Sequence, residues 1–425
     1  MERWEQYQGV YVHTPFCLQK CLYCDFPSYA GFSEEARQQY VDALCREIKL
    51  QSLPRKLSVA KGATVYFGGG TPTALTVEQI GKIVSTLKQY GWWNDPAEAT
   101  IEANPGTADA EKLRALRQLG FDRISLGVQS LQDNELRALG RIHTAEQALR
   151  AIEAAKKAGF RRISADLMSG IPCQTVESFQ STLDQLLRLG LSHVSAYSLI
   201  LEEGTPLNSL VESGKVKLPD EETSFNMYEM TTEVLAKAGL KRYEISNYAK
   251  PGQESLHNMV YWRYEPYAAF GAGACAFNGT ERRTNTADVR EYIKGWGMPE
   301  PVLQNTQNTV WGKDASVARM LSGEKEKEGS ASLSVSPGKG NRALWQTESL
   351  ARKTQISEAM IMGLRMTDGV DLRNMQKRFG VHIPAYYQTE IQRLLDKNMA
   401  ECVNGTLRLT PCGMRYGNRA FAAFV

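Results

Sequence analysis

Short apolar runs rich in β-branched residues recur along the first two-thirds of the chain, at residues 10–13, 64–67, 100–103, 123–129, 162–168 and 193–200. Their length and composition predict strands. Between them, residues 33–50, 76–90, 144–159 and 175–189 repeat apolar positions three and four apart, which predicts amphipathic helices. Helical stretches stop at Leu119-Gly120, Ala158-Gly159 and Leu189-Gly190, where glycine can take the left-handed conformation that closes a helix. Six alternating units of this kind predict an α/β fold with a parallel sheet covered by helices. A doubly wound sheet and a barrel-like arc both satisfy the periodicity. In either, chemistry gathers where strands run into loops. Three cysteines follow the first strand and Gly68-Gly69-Gly70 follows the second; Glu102 lies on the third. Gln129 closes the fourth, Asp166 lies on the fifth and Tyr197 on the sixth. That recurrence predicts one shared pocket.

Past about Tyr243 the rhythm breaks. Residues 257–277 are rich in aromatics and glycine, and residues 323–340, rich in Gly, Ser, Lys and Glu, read as a flexible insert. From about residue 350 helical patterns return and end in a β-like stretch at 406–410, as in a small winged-helix-like domain. The resulting division is 1–250 for the large α/β domain, 251–300 for a joining segment, 301–348 for the insert and 349–425 for the C-terminal domain. A DNA-reading helix is disfavoured, because residues 386–397 mix Arg393 and Lys397 with Glu390 and Asp396.

Composition narrows the classes further. The 425 residues are 42% hydrophobic and 23% charged, with a formal net charge of +3, which gives no reason to expect a nucleic-acid partner. No stretch approaches the length of apolar chain that spans a bilayer, and the N-terminus has no apolar core of a secretory signal, so a cytoplasmic, non-integral protein is expected. In a reducing compartment clustered cysteines are read first as metal ligands or reactive thiols.

Cys17, Cys21 and Cys24 form such a cluster, spaced C-x3-C-x2-C. A cubane [4Fe-4S] centre normally takes four thiolates, so three from one loop leave one iron open to a small-molecule ligand. A closed zinc site would need a fourth ligand, and His13 is the one candidate nearby. A redox disulfide would use the Cys21-x-x-Cys24 pair and leave Cys17 unexplained. The open cluster is the reading the spacing favours.

The cysteine loop and Gly68-Gly69-Gly70-Thr71-Pro72-Thr73 together resemble the radical S-adenosylmethionine (SAM) superfamily. More narrowly, the chain from about residue 9 onward, apart from the insert, is similar to the oxygen-independent coproporphyrinogen III oxidase family. The residues that carry this are Tyr11-x-His13-x-Pro15-Phe16-Cys17, Cys24-Asp25-Phe26, Gly127-Val128-Gln129-Ser130, and Asp166 with Gly170-Ile171-Pro172. The resemblance implies a partial (β/α)6 barrel with a helical, winged-helix-like accessory domain. It also implies a cluster on Cys17, Cys21 and Cys24, with SAM surrounded by Tyr11, Tyr23, Gly69, Gly70, Thr71, Glu102, Gln129, Arg141 and Asp166. Carboxylates and amides suit ribose hydroxyls, and an arginine suits the ligand's carboxylate.

Two subfamilies share this framework. The oxidases resemble C-x3-C-x2-C-x-C with a longer N-terminal arm, whereas Phe26 stands here where the fourth cysteine would be. His257-Asn258-Met259-Val260-Tyr261-Trp262 instead resembles the HNxxYW motif of the heme-chaperone subfamily, HemW. That resemblance implies heme as a ligand near His257, whose neutral imidazole suits heme iron, and an acceptor protein, which in the family is membrane-bound and respiratory. The alternatives are oxidative decarboxylation of coproporphyrinogen III and another radical SAM reaction on a tetrapyrrole. Cys275 stands where relatives commonly carry histidine; a small buried cysteine is the simpler reading. Cys45, Cys173, Cys402 and Cys412 have no ligand spacing and are expected to be packing residues.

Overall fold

A computed structural model describes residues 3–52, 57–297 and 344–425. The six expected strands are β1 (Gln6–Thr14), β2 (Ser58–Gly69), β3 (Ala99–Ala103), β4 (Arg123–Gln129), β5 (Arg162–Ser169) and β6 (His193–Ser198). They lie side by side in chain order, each parallel to the next, in the arc of a partial barrel. Helices α1 (Glu34–Gln51), α2 (Val77–Gln89), α3 (Ala110–Leu119), α4 (Asp133–Ala138), α5 (Ala145–Lys157) and α6 (Val176–Arg188) return the chain from strand to strand. Their starts are set by side-chain caps. Ser33, Thr76, Asp109, Thr144 and Thr175 each accept the orphan N–H of the third helical residue.

Alternation along the strands divides the arc into two faces. Val10, Val12, Val65, Phe67, Ile101, Ile163 and Leu167 point outward into a core completed by Tyr40, Leu44 and Ile48 of α1 and by the other helices. The inward face is polar: Tyr66, Glu102, Ser125, Ser164, Asp166 and Ser195 all line the interior of the arc. Two helices not legible as periodic runs, α7 (Pro206–Glu212) and α8 (Glu221–Lys237), follow β6. Helix α8 packs on α6 through a largely polar stretch that buries only Met227, Thr231 and Leu235 of its own side chains.

The chain from Lys241 onward extends the same sheet at both edges. Strands β7 (Lys241–Arg242) and β8 (Asn247–Ala249) close the β6 edge. Helix α9 (Leu256–Trp262) then leads to β9 (Tyr267–Phe270), parallel to β1, and to the antiparallel β10 (Cys275–Phe277), β11 (Glu281–Asn285) and, past α10 (Val289–Trp296), β12 (Trp345–Ser349). The stretch read as a joining segment thus holds two short helices and three strands of the sheet, the strands too short to show a period. Of the expected insert, residues 301–343 lie outside the described residues, whereas Trp345 and the residues following it belong to β12. The C-terminal unit has its own core, around Ile356, Met360, Leu372, Phe379, Leu394 and Leu407. It comprises α11 (Arg352–Leu364), β13 (Val370–Asp371), α12 (Leu372–Phe379), the helix Gln388–Asp396 and the hairpin β14 (Ala400–Val403)–β15 (Thr406–Leu409).

One buried carboxylate fastens the first edge to α1. Glu47, fully buried, accepts hydrogen bonds from Gly271 N (2.9 Å), Asn285 Nδ2 (2.7 Å), Gln51 Nε2 (2.6 Å) and the Tyr292 hydroxyl. Burial outweighs these donors and raises its pKa from 4.5 to about 7. The folded protein therefore binds a proton more tightly than the unfolded chain, and stability should fall as pH rises from about 4.5 through 7. Urea midpoints measured across that window should decline for the wild type, and less steeply for Glu47→Gln; an equal slope in the variant would remove Glu47 as a cause.

Candidate cofactor site

The loop after β1 is pinned before any ligand is considered. Cys17 N donates to Tyr29 O (2.9 Å) and Tyr29 N donates to Pro15 O (2.7 Å), so the loop closes on itself. The turn after β2 is stitched to the same loop by Gly70 N to Thr14 O and Thr71 N to Phe16 O, both 2.8 Å. Such close approach requires glycine at position 70, where a Cβ would lie 2.8 Å from Phe16 O and 3.1 Å from Cys17 Sγ. Cys24 N donates to Cys21 O (3.2 Å), and Leu22 is held from both sides by Leu139 O and Leu207 N.

This scaffold turns Cys17, Cys21 and Cys24 into one cavity of 410 Å³ at the strand ends. Cys17 Sγ lies 3.6 Å from Thr71 Oγ1, Cys24 Sγ lies 3.6 Å from Ser28 Oγ, and Arg141 Nη1 donates to Cys21 Sγ at 3.3 Å. Burial pushes the Cys17 thiol up, so a bound cation would be needed to hold it as thiolate. All three cysteines are free thiols. Among the described residues no three His, Cys, Asp or Glu side chains converge on a single ion position. In a [4Fe-4S] cube each thiolate takes its own iron, so its three ligands need not meet at one point.

Polar groups and glycines share the cavity with the cysteines. Tyr23, Gly69, Gly70, Thr71, Glu102, Gln129, Arg141 and Asp166, all expected from the sequence, line it. Glu102 Oε1 accepts from the Tyr66 hydroxyl (2.6 Å) and Oε2 from Gly69 N (3.3 Å). Burial raises the Glu102 pKa to about 7 against these donors. Asp166 accepts from Ser125 Oγ at 2.9 Å, and burial likewise raises its pKa. Arg141 is fixed by Asn104 Oδ1 (2.7 Å) and Gly127 O (2.6 Å). Asn104, which also donates to Thr71 Oγ1 at 2.8 Å, was not legible as a site residue because Asn104-Pro105-Gly106 reads as a turn.

Two expectations meet a different arrangement. Tyr11 is not among the residues lining the cavity. Its position on β1 aims the ring inward at Tyr66 and His257, and its hydroxyl bonds His13 Nδ1 at 3.0 Å. His257, expected to offer a nitrogen to heme iron, is 1% exposed with both nitrogens engaged: Nδ1 lies 2.7 Å from Thr64 Oγ1 and Nε2 lies 2.8 Å from the Tyr261 hydroxyl. Burial lowers its pKa to about 3, so the ring is neutral. A neutral imidazole has one lone pair and one N–H, and both are used here. Cys275, partly buried, lies on β10 beside Tyr261 and Tyr267 rather than in the cavity.

Residues 11–186 match the family model of the radical SAM superfamily, and residues 350–416 match that of the HemN C-terminal domain. A protein of Bacillus subtilis named heme chaperone HemW is 32% identical over 419 residues, covering 98% of this chain and 99% of that one. The chain belongs to the HemW family. The HemW of Escherichia coli is 37% identical over 269 residues, 63% of this chain and 69% of its own length. A zebrafish protein (Danio rerio) named radical S-adenosyl methionine domain-containing protein 1, mitochondrial, is 33% identical over 85% of this chain and 73% of its own. Among solved structures, coproporphyrinogen III oxidase (HemN) of E. coli superposes with a TM-score of 0.75, covering 99% of this chain and 90% of that one at 22% identity. That likeness concerns the fold. The HemW chain thus carries the α/β radical SAM domain and a HemN-like C-terminal domain, and the superfamily implies a [4Fe-4S] cluster and SAM. No helix among the described residues is long and apolar enough to cross a membrane.

Proposed function

We propose that the protein is a cytoplasmic heme chaperone, binding heme and passing it to an acceptor protein, with a [4Fe-4S] cluster on Cys17, Cys21 and Cys24 and SAM at the open iron. The observation that carries this reading is the end-to-end match to the B. subtilis HemW, which leaves neither chain with an unmatched domain. Phe26, 68% exposed at the cavity mouth where an oxidase-type fourth cysteine would fall, supports the chaperone over the decarboxylase. When bound, cluster and SAM supply one-electron chemistry. The chain's own part is to hold them: three thiolates on iron, Arg141 and Asn104 at the ligand's amino-acid end, Glu102 and Asp166 at its hydroxyls. A membrane-bound respiratory protein as acceptor belongs to this reading.

On this reading heme need not be ligated by His257. Phe26, Tyr197 and Ile200 are exposed at the mouth of the cofactor cavity with Lys20 beside them, and Leu18 and Ile142 are exposed at an adjoining pocket that shares Gln19, Cys21, Asn104 and Arg141. Exposed apolar side chains gathered at one opening mark a ligand site, and a flat porphyrin with its propionates toward Lys20 fits that chemistry. Anoxically reconstituted protein is expected to bind one hemin per chain in a Soret titration and to yield no decarboxylated coproporphyrinogen by mass spectrometry. Ile200→Glu should weaken hemin binding at least several-fold. Product formation without stoichiometric heme binding would reject the chaperone reading in favour of the oxidase.

A further inference from the structure

Inside the partial barrel, His257 is the base of two chains of contacts, one ending on Glu102 and Gly69 of the cofactor cavity and the other on the cysteine loop. Its ring lies nearly parallel to that of Tyr66, with centroids 4.9 Å apart and planes 21° apart, and the Tyr66 hydroxyl donates to Glu102 Oε1 at 2.6 Å. Glu102 in turn accepts from the backbone of Gly69. On the other side Tyr11 stacks at 6.4 Å and 26°, its hydroxyl bonds His13 Nδ1 at 3.0 Å, and His13 Nε2 lies 3.0 Å from Pro27 O, three residues beyond Cys24. The imidazole is itself clamped by Thr64 and Tyr261. It also sits so close to β1 that a Cβ at Gly9 would come within 3.1 Å of it. Helix α9, which carries it, is held to the barrel through Glu98, which accepts from Leu256 N and His257 N at 3.2 Å each.

We infer that His257 is a positioning residue, which with Tyr66 presets the Glu102 carboxylate and with Tyr11 and His13 steadies the cysteine loop, rather than a ligand of heme iron. The inference rests on the cluster-and-SAM reading of the cavity. A carboxylate held by a phenol and a backbone N–H is already oriented when a ligand arrives, so less rotamer freedom is lost on binding. The stacked rings matter because a phenol aimed at a buried carboxylate keeps its aim only while its ring is packed on both faces. A single lever on both walls also explains why an aromatic, histidine-containing helix far along the chain packs beside a site lined from β1–β6 and their loops.

The test is a pair of variants in the full-length, anoxically reconstituted protein. Tyr66→Phe keeps the stacked ring and removes only the hydroxyl; His257→Gln keeps a polar partner for Thr64 and removes the ring. SAM binding is read from the change it produces in the EPR spectrum of the reduced cluster, and hemin binding from the Soret band. The expected result is SAM affinity about tenfold weaker or more in both variants, as for loss of a hydrogen bond to a charged group. Hemin stoichiometry and Soret position should be unchanged in both, with wild-type iron content in Tyr66→Phe. Wild-type SAM affinity in Tyr66→Phe overturns the inference, as does loss of hemin binding in His257→Gln with SAM affinity intact. Should His257→Gln not fold, Tyr66→Phe still decides. A wild-type cluster that ignores SAM would sink the cofactor reading itself, a failure distinct from a responsive wild type with unaltered variants.

Discussion

Cys24→Ala, reconstituted without oxygen, is expected to hold less than one iron per chain where the wild type holds about four. The three are the only cysteines lining the cavity among the described residues: Cys45, Cys173, Cys275, Cys402 and Cys412 are absent from its lining, so no other thiolate stands by to replace a lost ligand. Ser28 Oγ, 3.6 Å from Cys24 Sγ, offers a hydroxyl that is a harder and weaker ligand for cluster iron. Two thiolates cannot retain the cube against hydrolysis and loss of iron. The variant should nevertheless fold, because backbone hydrogen bonds to Tyr29, Pro15, Thr14 and Phe16 hold the loop and its neighbouring turn. Iron and sulfide analysis with far-UV circular dichroism checks both halves of the expectation. SAM binding should disappear with the cluster, since the open iron is its anchor. Retention of near-wild-type iron by the variant, or zinc in place of iron in the wild type, would defeat the three-thiolate reading.

How much of this was legible before folding depends on where each signal lives. The cysteine ligands lie within eight consecutive residues, so chemistry and spacing are visible together. The strand-end residues were legible because parallel α/β topology brings successive strand ends to one mouth. Six strands and four capped helices followed from periodicity for the same reason: each is a local pattern. Strands β9 and β10, four and three residues long, are too short to carry a period, and α8 keeps most of its surface polar. The surroundings of Tyr11, which the family resemblance placed at SAM, depend on strand geometry: one step of alternation along β1 aims its ring at the aromatic stack of Tyr66 and His257. The surroundings of His257 were illegible for another reason. A histidine among aromatics has the same sequence signature whether its nitrogens are free or satisfied, and only the packing of Thr64 and Tyr261 around it distinguishes the two.

The largest effect on stability is expected at Glu98, where Glu98→Ala should cost about 3–5 kcal/mol. Glu98 is fully buried and accepts from Arg123 Nε at 2.8 Å, while Arg123, 1% exposed, spends its Nη2 on the carbonyls of Gln253 (2.7 Å) and Glu254 (2.8 Å). Removing the carboxylate leaves a guanidinium sealed in the barrel without a counter-charge and strips the first N–H groups of α9 of their acceptor. The pair itself need not be net stabilising, because taking both charges out of water offsets much of their attraction. Hence Glu98→Leu combined with Arg123→Met should recover most of the loss, although α9 would remain unanchored at its start. Denaturant unfolding of both single variants and the double variant separates these effects. A loss under about 1 kcal/mol in Glu98→Ala would mean that water reaches the pair and the barrel floor is not sealed. Because α9 carries His257, the single variant should also weaken SAM binding, and the double variant should regain stability ahead of that affinity. Equal recovery of the two would place the control of the cofactor site in the charge pair rather than in the seating of the helix.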